Sequence, residues 1–414
     1  MTPKPSHGGR PFWSPEDIIC VAGKNEVAVE CLEHLVEIGV PREQLCVTGN
    51  KDDAGTNTWQ PSLIFAASQH GIRVVAQEAL HAQKNLWFFS LEYDRLIRPA
   101  KFASRRLYNM HFSLLPAYRG VSTSVWPILN QEKITGVTFH EIDVGIDSGP
   151  VLLNRAFEID VGWTARDLYF AYQANGATLF REFVRVLADA DPRKVAQDES
   201  KASLYMRKDI NFNDIQVDLV APAGQIHDKL RAFTFWEYQL PKISGREVWR
   251  SRLVQGAPSG SPGSVKLLDE WRALVSGTDG DVEVTFSPYA QLFAWAAGQG
   301  GAPAPSWAAI PDLDLQNAKG WSVLMVAAFN GNIAAARALV DAGASFESAN
   351  LRGTTPLMYA FSRMVQTGDS AVFSYLLSAG ADPTRRDAKG LSIADYLPPE
   401  KRGDLRVLFP SIFS

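Results

Sequence analysis

Apolar positions in the first half of the chain alternate between unbroken runs and helical steps. The run IICVA at 18–22 ends in Gly23, the signature of a buried strand entering a turn. Ala28, Cys31, Leu32, Leu35 and Val36 then recur at steps of three and four until Gly39 and Pro41 stop them, which predicts a helix. The alternation continues through 45–48, 62–68, 72–75, 86–90 and 107–111. Val137 and Phe139 alternate with Thr138 and His140, and 151–159 is again extended, so two further strands are expected. Thr164, with Asp167 three positions on, predicts the capped start of a long helix running to about Leu187 on Leu168, Tyr172, Phe180, Phe183 and Val184. This is the grammar of an α/β domain with a mainly parallel sheet covered on both faces.

The grammar then changes. A charged stretch at 189–201 reads as a boundary, and from 205 to 286 short strands alternate with turn signals, predicting a small β-rich domain. The Gly/Pro-rich segment 297–306 reads as a linker or exposed loop. In the tail, NAKGWSVLMVAAFNGN aligns with NLRGTTPLMYAFSRMVQTGD, and ARALVDAGA with FSYLLSAGADP. Gly320 and Gly353 are 33 residues apart and Gly343 and Gly380 are 37, so the second unit carries a four-residue insertion. This period, with G-x-T-P-L-M and L-L-x-A-G-A-D-P, resembles the ankyrin repeat. AKGLSIADYL at 388–397 begins a third unit that stops early, as a cap would. So few repeats are marginal alone, and the all-α module is expected to lean on the middle domain. The expected domains are 1–200, 201–300 and 301–414.

Composition narrows the function classes. The 414 residues carry 41 basic and 45 acidic side chains, net charge −4, without the basic excess that nucleic-acid binding exploits. Cys20, Cys31 and Cys46 match neither a zinc site nor a disulfide framework and read as reduced thiols. The start, MTPKPSHGGRPFW, lacks a signal-peptide core, and no run approaches membrane-spanning length, so a cytoplasmic protein with no membrane partner is expected. The first strand is followed by GKNEVA, not by a G-x-G-x-x-G turn or a phosphate-binding loop ending in Gly-Lys-Ser/Thr, which argues against ordinary nicotinamide or ATP chemistry.

The chemistry concentrates at 107–150. Asn109 and His111 are two apart on a strand, so they share a face, and they fall at the carboxyl end of a central strand where open α/β sheets place ligands. Asp143 and Asp147 follow in the Gly-punctuated DVGIDSGP and can bring a carboxylate to the imidazole. An Asn, a His and an Asp together can polarise a carbonyl, manage a proton and hold an imidazole in its charged state.

The sequence N-x-H-x-S-L-L-P-x-Y-R-G, followed by T-G-V-T-x-H-x-I-D-x-G-x-D-S-G-P, resembles the folate-dependent formyltransferases over roughly residues 15–240. The resemblance implies a Rossmann-like catalytic domain, with 10-formyltetrahydrofolate as co-substrate and no metal. It places the catalytic roles on Asn109, His111 and Asp147. GNKDDAGTNTWQPS, SLEYDRLIRP and RAFTFWEYQLP are similar to the sugar N-formyltransferase branch, some of whose members carry ankyrin repeats. That branch implies a nucleotide-linked amino sugar as partner, a dTDP-3-amino-3,6-dideoxyhexose made for surface polysaccharide such as O-antigen, and it favours a homodimer. Two other readings stay open: another amine acceptor such as an amino acid or a tRNA, or an ankyrin interaction protein with an inert enzyme domain.

The same resemblance sets Ser90, Tyr93, Asp94, Arg95 and Asp143 along the folate pocket, with loop shaping, or the place of Asp147 as the catalytic acid, as alternative roles of Asp143. Arg119 would bind pyrophosphate or form an ion pair. Tyr205, Arg207, Arg231 and Tyr238 are expected where a ring stack and phosphate clamp could form around the nucleotide-sugar. Ser113 has no base placed for it and is assigned to the loop. Trp321 occupies the variable position of the ankyrin motif, usually an exposed turn, where it would dock the module or stack on a second flat ligand.

Overall fold

The structure is a computed structural model describing residues 11–189, 191–299, 310 and 312–397. The described residues fall into two compact units, 11–56 with 61–286 and 57–60 with 287–397. The first unit opens with β1 (Ile18–Gly23), α1 (Asn25–Glu37), β2 (Leu45–Gly49), α2 (Leu63–Gln69), β3 (Arg73–Val74), β4 (Leu86–Leu91) and β5 (Leu107–His111). A short β6 (Arg119–Gly120) and α3 (Trp126–Leu129) lead to β7 (Ile134–Glu141), β8 (Val151–Glu158) and the long α4 (Ala165–Asp189). Seven strands form one sheet in the order β3-β2-β1-β4-β5-β7-β8; the first five run parallel, and β7 and β8 each pair antiparallel.

The period of two decides which side chains go to which face. Cys20, Ala22, Cys46, Phe88 and Leu107 pack with Leu80, Ile97 and Phe102 on one side. On the other, Phe89 meets Phe180 of α4 at 5.2 Å between rings, and Phe139 stacks on Phe183 at 4.6 Å. All three cysteines are buried and free. The capping signal read for α4 is present: Asp167 N–H donates to Thr164 Oγ1 at 3.3 Å, and Thr164 N–H to Asp167 Oδ2 at 2.9 Å.

Beyond α4 the charged stretch is tied back to the sheet, Val195 bridging Val151. Next come β9 (Leu204–Tyr205), which pairs with β6, and α5 (Ala223–Ala232). β10 (Lys242–Ile243), β11 (Arg246–Val254), β12 (Val265–Leu267), β13 (Arg272–Ser276) and β14 (Asp281–Phe286) form a five-stranded antiparallel sheet ordered β10-β11-β14-β13-β12.

The second unit contains α6 (Tyr289–Ala296) and two helix pairs, α7 (Val323–Asn330) with α8 (Ile333–Asp341), and α9 (Pro356–Thr367) with α10 (Ala371–Ser378). Ser322 and Thr355 cap α7 and α9, accepting from Met325 N–H and Met358 N–H at 3.3 Å each. The expected insertion lies within α9, which has 12 residues against 8 in α7. Most of the linker expected at 297–306 lies outside the described residues. The third unit is a turn that buries Ile393 and Leu397. Among the described residues no helix is long and apolar enough to cross a membrane.

Candidate active site

β1 has β2 on one side and β4 on the other, so the strand order reverses between β1 and β4, the place where such sheets leave a crevice at their carboxyl ends. A cleft of about 700 Å³ lies there, lined by Ser90, Asn109, His111, His140 and Asp147 among others. The sheet itself builds the chemistry. Asn109 and His111 share one face of β5, and the antiparallel register sets His140 of β7 directly opposite Asn109. The loop after β7 then returns Asp147 over both strands.

Asp147 Oδ2 accepts the Gly120 N–H at 2.9 Å and lies 3.4 Å from His111 Nδ1. Its Oδ1 accepts from Asn109 Nδ2 at 3.2 Å and lies 3.4 Å from His140 Nε2. Burial alone would raise the Asp147 carboxyl; the charges of His111 and His140, the hydrogen bond from His140 and that from Gly120 outweigh it and hold the group well below the usual carboxylate range. Each histidine has one nitrogen fixed against a backbone carbonyl, His111 Nε2 on Tyr118 O at 2.7 Å and His140 Nδ1 on Glu141 O at 2.8 Å. A carbonyl only accepts, so those nitrogens carry hydrogen and the other nitrogen of each ring is the one free to gain or lose a proton. For His111 this is Nδ1, facing Asp147.

The loop is braced from below. Gln197 Nε2 donates to the carbonyls of Asp147 and Gly149 at 2.8 and 2.7 Å, and Asp143 Oδ1 accepts from Gly145 N–H at 3.0 Å and Ser148 Oγ at 2.8 Å. Asp143 also lines the cleft. Ser113 Oγ donates to Ala117 O at 2.7 Å within its loop.

Ser90, Tyr93, Asp94 and Arg95 all line the cleft. Tyr93 is tethered to Thr48 across 3.4 Å, and Asp94 accepts the Lys51 N–H at 3.1 Å. Arg207 is exposed on the cleft wall, and Tyr238 lines both the cleft and an adjoining recess of about 380 Å³. That recess is aromatic, with Phe112, Tyr169, Phe212 and Phe235. Three other expected residues are engaged within the protein. Arg119 is buried, with NH1 and NH2 on the Glu199 carboxylate at 2.9 and 2.7 Å and NH2 also on Gln197 at 2.8 Å. Arg231, also buried, binds Asp228 at 2.7 Å and the Trp163 carbonyl at 3.0 Å. Tyr205 stacks on Trp126 at 4.2 Å. In the second unit Trp321 is half-buried against Phe329 and Tyr359, at 5.1 and 4.6 Å between ring centres. The latter two residues line a separate pocket of about 300 Å³.

His140 and Glu92 are among the cleft residues that escaped the reading of the sequence. His140 stood in plain view within T-x-H, and its position opposite Asn109 becomes visible only with the antiparallel register. Glu92 lies inside SLEYDRLIRP, where nothing local distinguishes it from a solvated carboxylate.

The formyl transferase family model matches residues 19–184, and a model of three ankyrin repeats matches 293–387. A methionyl-tRNA formyltransferase of Synechococcus sp. is 30% identical over 273 residues, spanning 59% of this chain and 81% of that protein. The solved N-formyltransferase of Helicobacter canadensis, in complex with folinic acid and dTDP-3-aminofucose, is 38% identical with a TM-score of 0.63; the match covers 66% of this chain and 100% of that one. WlaRD, a sugar 3N-formyl transferase solved in the presence of dTDP and 5-N-formyl-THF, is 36% identical with a TM-score of 0.63, over 66% of this chain and 99% of that one. With a relative at 30% identity matched over 81% of its length and solved structures at 36% and 38% identity matched over nearly all of theirs, the chain belongs to the formyltransferase family.

Proposed function

We propose that the protein transfers a formyl group from 10-formyltetrahydrofolate to the amine of a nucleotide-linked amino sugar, a dTDP-3-amino-3,6-dideoxyhexose destined for surface polysaccharide such as O-antigen. The observation that carries this reading is the continuity of two cavities: the cleft holding His111 and Asp147 shares Lys24, Glu92, Phe112, Ser122, Thr123 and Tyr238 with the aromatic recess. Both volumes suit small ligands, and an aromatic wall suits a flat base. The Helicobacter canadensis and WlaRD proteins, matched over 100% and 99% of their lengths, were solved in complex with folinic acid and dTDP-3-aminofucose and in the presence of dTDP and 5-N-formyl-THF respectively.

In this reading the folate occupies the cleft beside Ser90 and Tyr93, whose neighbours Ile97 and Ile142 supply apolar walls, and it brings the activated formyl group. Tyr238, Phe212 and Phe235 flank the nucleotide, and Arg207 faces its phosphates. Protonated His111 offers Nδ1–H to the oxygen on which charge develops as the amine attacks the formyl carbon. Asp147, ionised throughout, sets a negative charge 3.4 Å from that nitrogen. Asn109 supplies a neutral amide donor, its Nδ2 lying against both Asp147 and His140.

The second reading, methionyl-tRNA as acceptor, is favoured by the Synechococcus relative. Purified protein and 10-formyltetrahydrofolate, incubated with a panel of nucleotide amino sugars and with methionyl-tRNA, decide between them. A 28 Da gain on a dTDP-3-amino sugar is expected. Formylation of methionyl-tRNA alone would overturn the sugar reading.

A further inference from the structure

Glu92 carries a carboxyl that the roles above leave unused. It follows β4 at the strand-order reversal and is one of the residues common to the cleft and the recess. Its Oε2 accepts from Tyr169 OH at 2.8 Å and from Asn25 Nδ2 at 3.5 Å. Its Oε1 has no hydrogen-bond partner among the described residues. The backbone holds it in place: Glu92 and Asn25 have φ of 58° and 63°, a left-handed conformation that side chains other than glycine seldom adopt. Asn50 Nδ2 secures the Glu92 carbonyl at 2.9 Å. The groups facing this carboxyl are Lys24 from the turn after β1, Asn25 from the start of α1, Tyr169 from α4, and Tyr238 from the recess wall. Lys24 is itself drawn to Asp52, 3.7 Å away. Crowding by the protein pushes the Glu92 carboxyl up to about 7, against the opposing pull of Tyr169, Lys24 and Asn25.

An amino sugar reaches the enzyme largely as its ammonium and cannot attack until a proton leaves. Asp147 is ill suited to take it, because its surroundings hold it so firmly ionised. We propose that Glu92 accepts this first proton, its free Oε1 receiving an ammonium N–H where cleft and recess meet. The proposal rests on the amine-acceptor reading above. The balance is complete: one ammonium proton passes to Glu92, and the freed electron pair forms the bond to the formyl carbon. The bond from that carbon to nitrogen 10 then breaks, a second proton from the attacking nitrogen goes to nitrogen 10, and Glu92 releases its proton to solvent.

Glu92→Gln in the full chain tests it through the pH dependence of kcat/KM. Relative to wild type, the variant should lose at least about a hundredfold near pH 6.5 and less than about tenfold near pH 9.5, where the amine is free without a base. Calorimetric binding of unreactive 5-formyltetrahydrofolate should be unchanged, which establishes the fold. A loss of constant size across the range, or no loss, overturns the proposal. If the variant does not bind that folate, Tyr169→Phe replaces it, keeping the carboxyl but removing its hydrogen bond; a shift of the acidic limb to higher pH supports the role of Glu92, and an unmoved limb overturns it. Should wild type formylate methionyl-tRNA and no sugar, the acceptor reading fails by itself. The same comparison on that amine then judges Glu92 by the same criteria.

Discussion

His111 and His140 each commit one ring N–H to a carbonyl, and their remaining nitrogens converge on one carboxylate. Charge at this point is therefore shared among three side chains, and removing any one changes the other two. His111→Asn and Asp147→Asn are expected to lower kcat by at least about a hundredfold while the thermal unfolding transition stays cooperative, because both changes are nearly isosteric. Turnover above a tenth of wild type would remove the residue from the mechanism. The sign of the Asp147 shift bears on pH. A carboxyl lowered by folding contributes stability that is present above its unfolded value and lost as the pH falls through the folded one. Asp147 thus stays ionised throughout the working range, and any acidic limb in turnover belongs to other groups. That Asn109, His111 and Asp147 would come together was legible because a dozen neighbouring positions fix their context. The ion pair given as one role of Arg119 is present with Glu199, whereas Arg231 was not legible as an internal brace, since the Trp163 carbonyl, 68 positions away, becomes its partner only through the fold.

Among the elements, the two-residue pairing of β6 with β9 has influence beyond its size. Gly120 sits there at φ 94°, its N–H on Asp147, and a Cβ would run into the Tyr205 carbonyl. Gly120→Ala should therefore cost about 1–3 kcal/mol and pull the strand from the carboxylate. The expected result is a lower melting temperature and a kcat reduced tenfold or more, with 5-formyltetrahydrofolate binding retained; unchanged kcat would show that Asp147 does not need this support. Hydrophobic period revealed the strands of the catalytic sheet and the helix after it. It did not reveal that the polar stretch 189–201, read as a boundary, supplies Gln197 to the loop carrying Asp147. A polar residue that braces a loop and one that faces water look alike without the fold.

For the molecule as a whole, both the α/β grammar and the 33-residue repeat could be read directly, since each repeats a pattern many times. The environment of Trp321 could not, because its neighbours Phe329 and Tyr359 belong to successive repeats brought together only by stacking. Trp321→Ala should destabilise by about 2 kcal/mol, as expected for a half-buried ring, without changing kcat at saturating substrate. If the ring also serves an auxiliary ligand, calorimetry should find one fewer nucleotide-sugar bound per chain in the variant; a wild-type stoichiometry of one would exclude that. The antiparallel junction of β5 with β7 has a consequence for how the chain can diverge. A single deletion within either strand would turn Asn109 or His140 to the opposite face, since side chains alternate. Between Gly120 and Ile134, by contrast, the backbone can lengthen or shorten without disturbing that register. Descendants of this sequence are thus free to vary the segment carrying Ser122 and Thr123, two residues shared by the cleft and the recess, while inheriting the pairing of Asn109 with His140 intact.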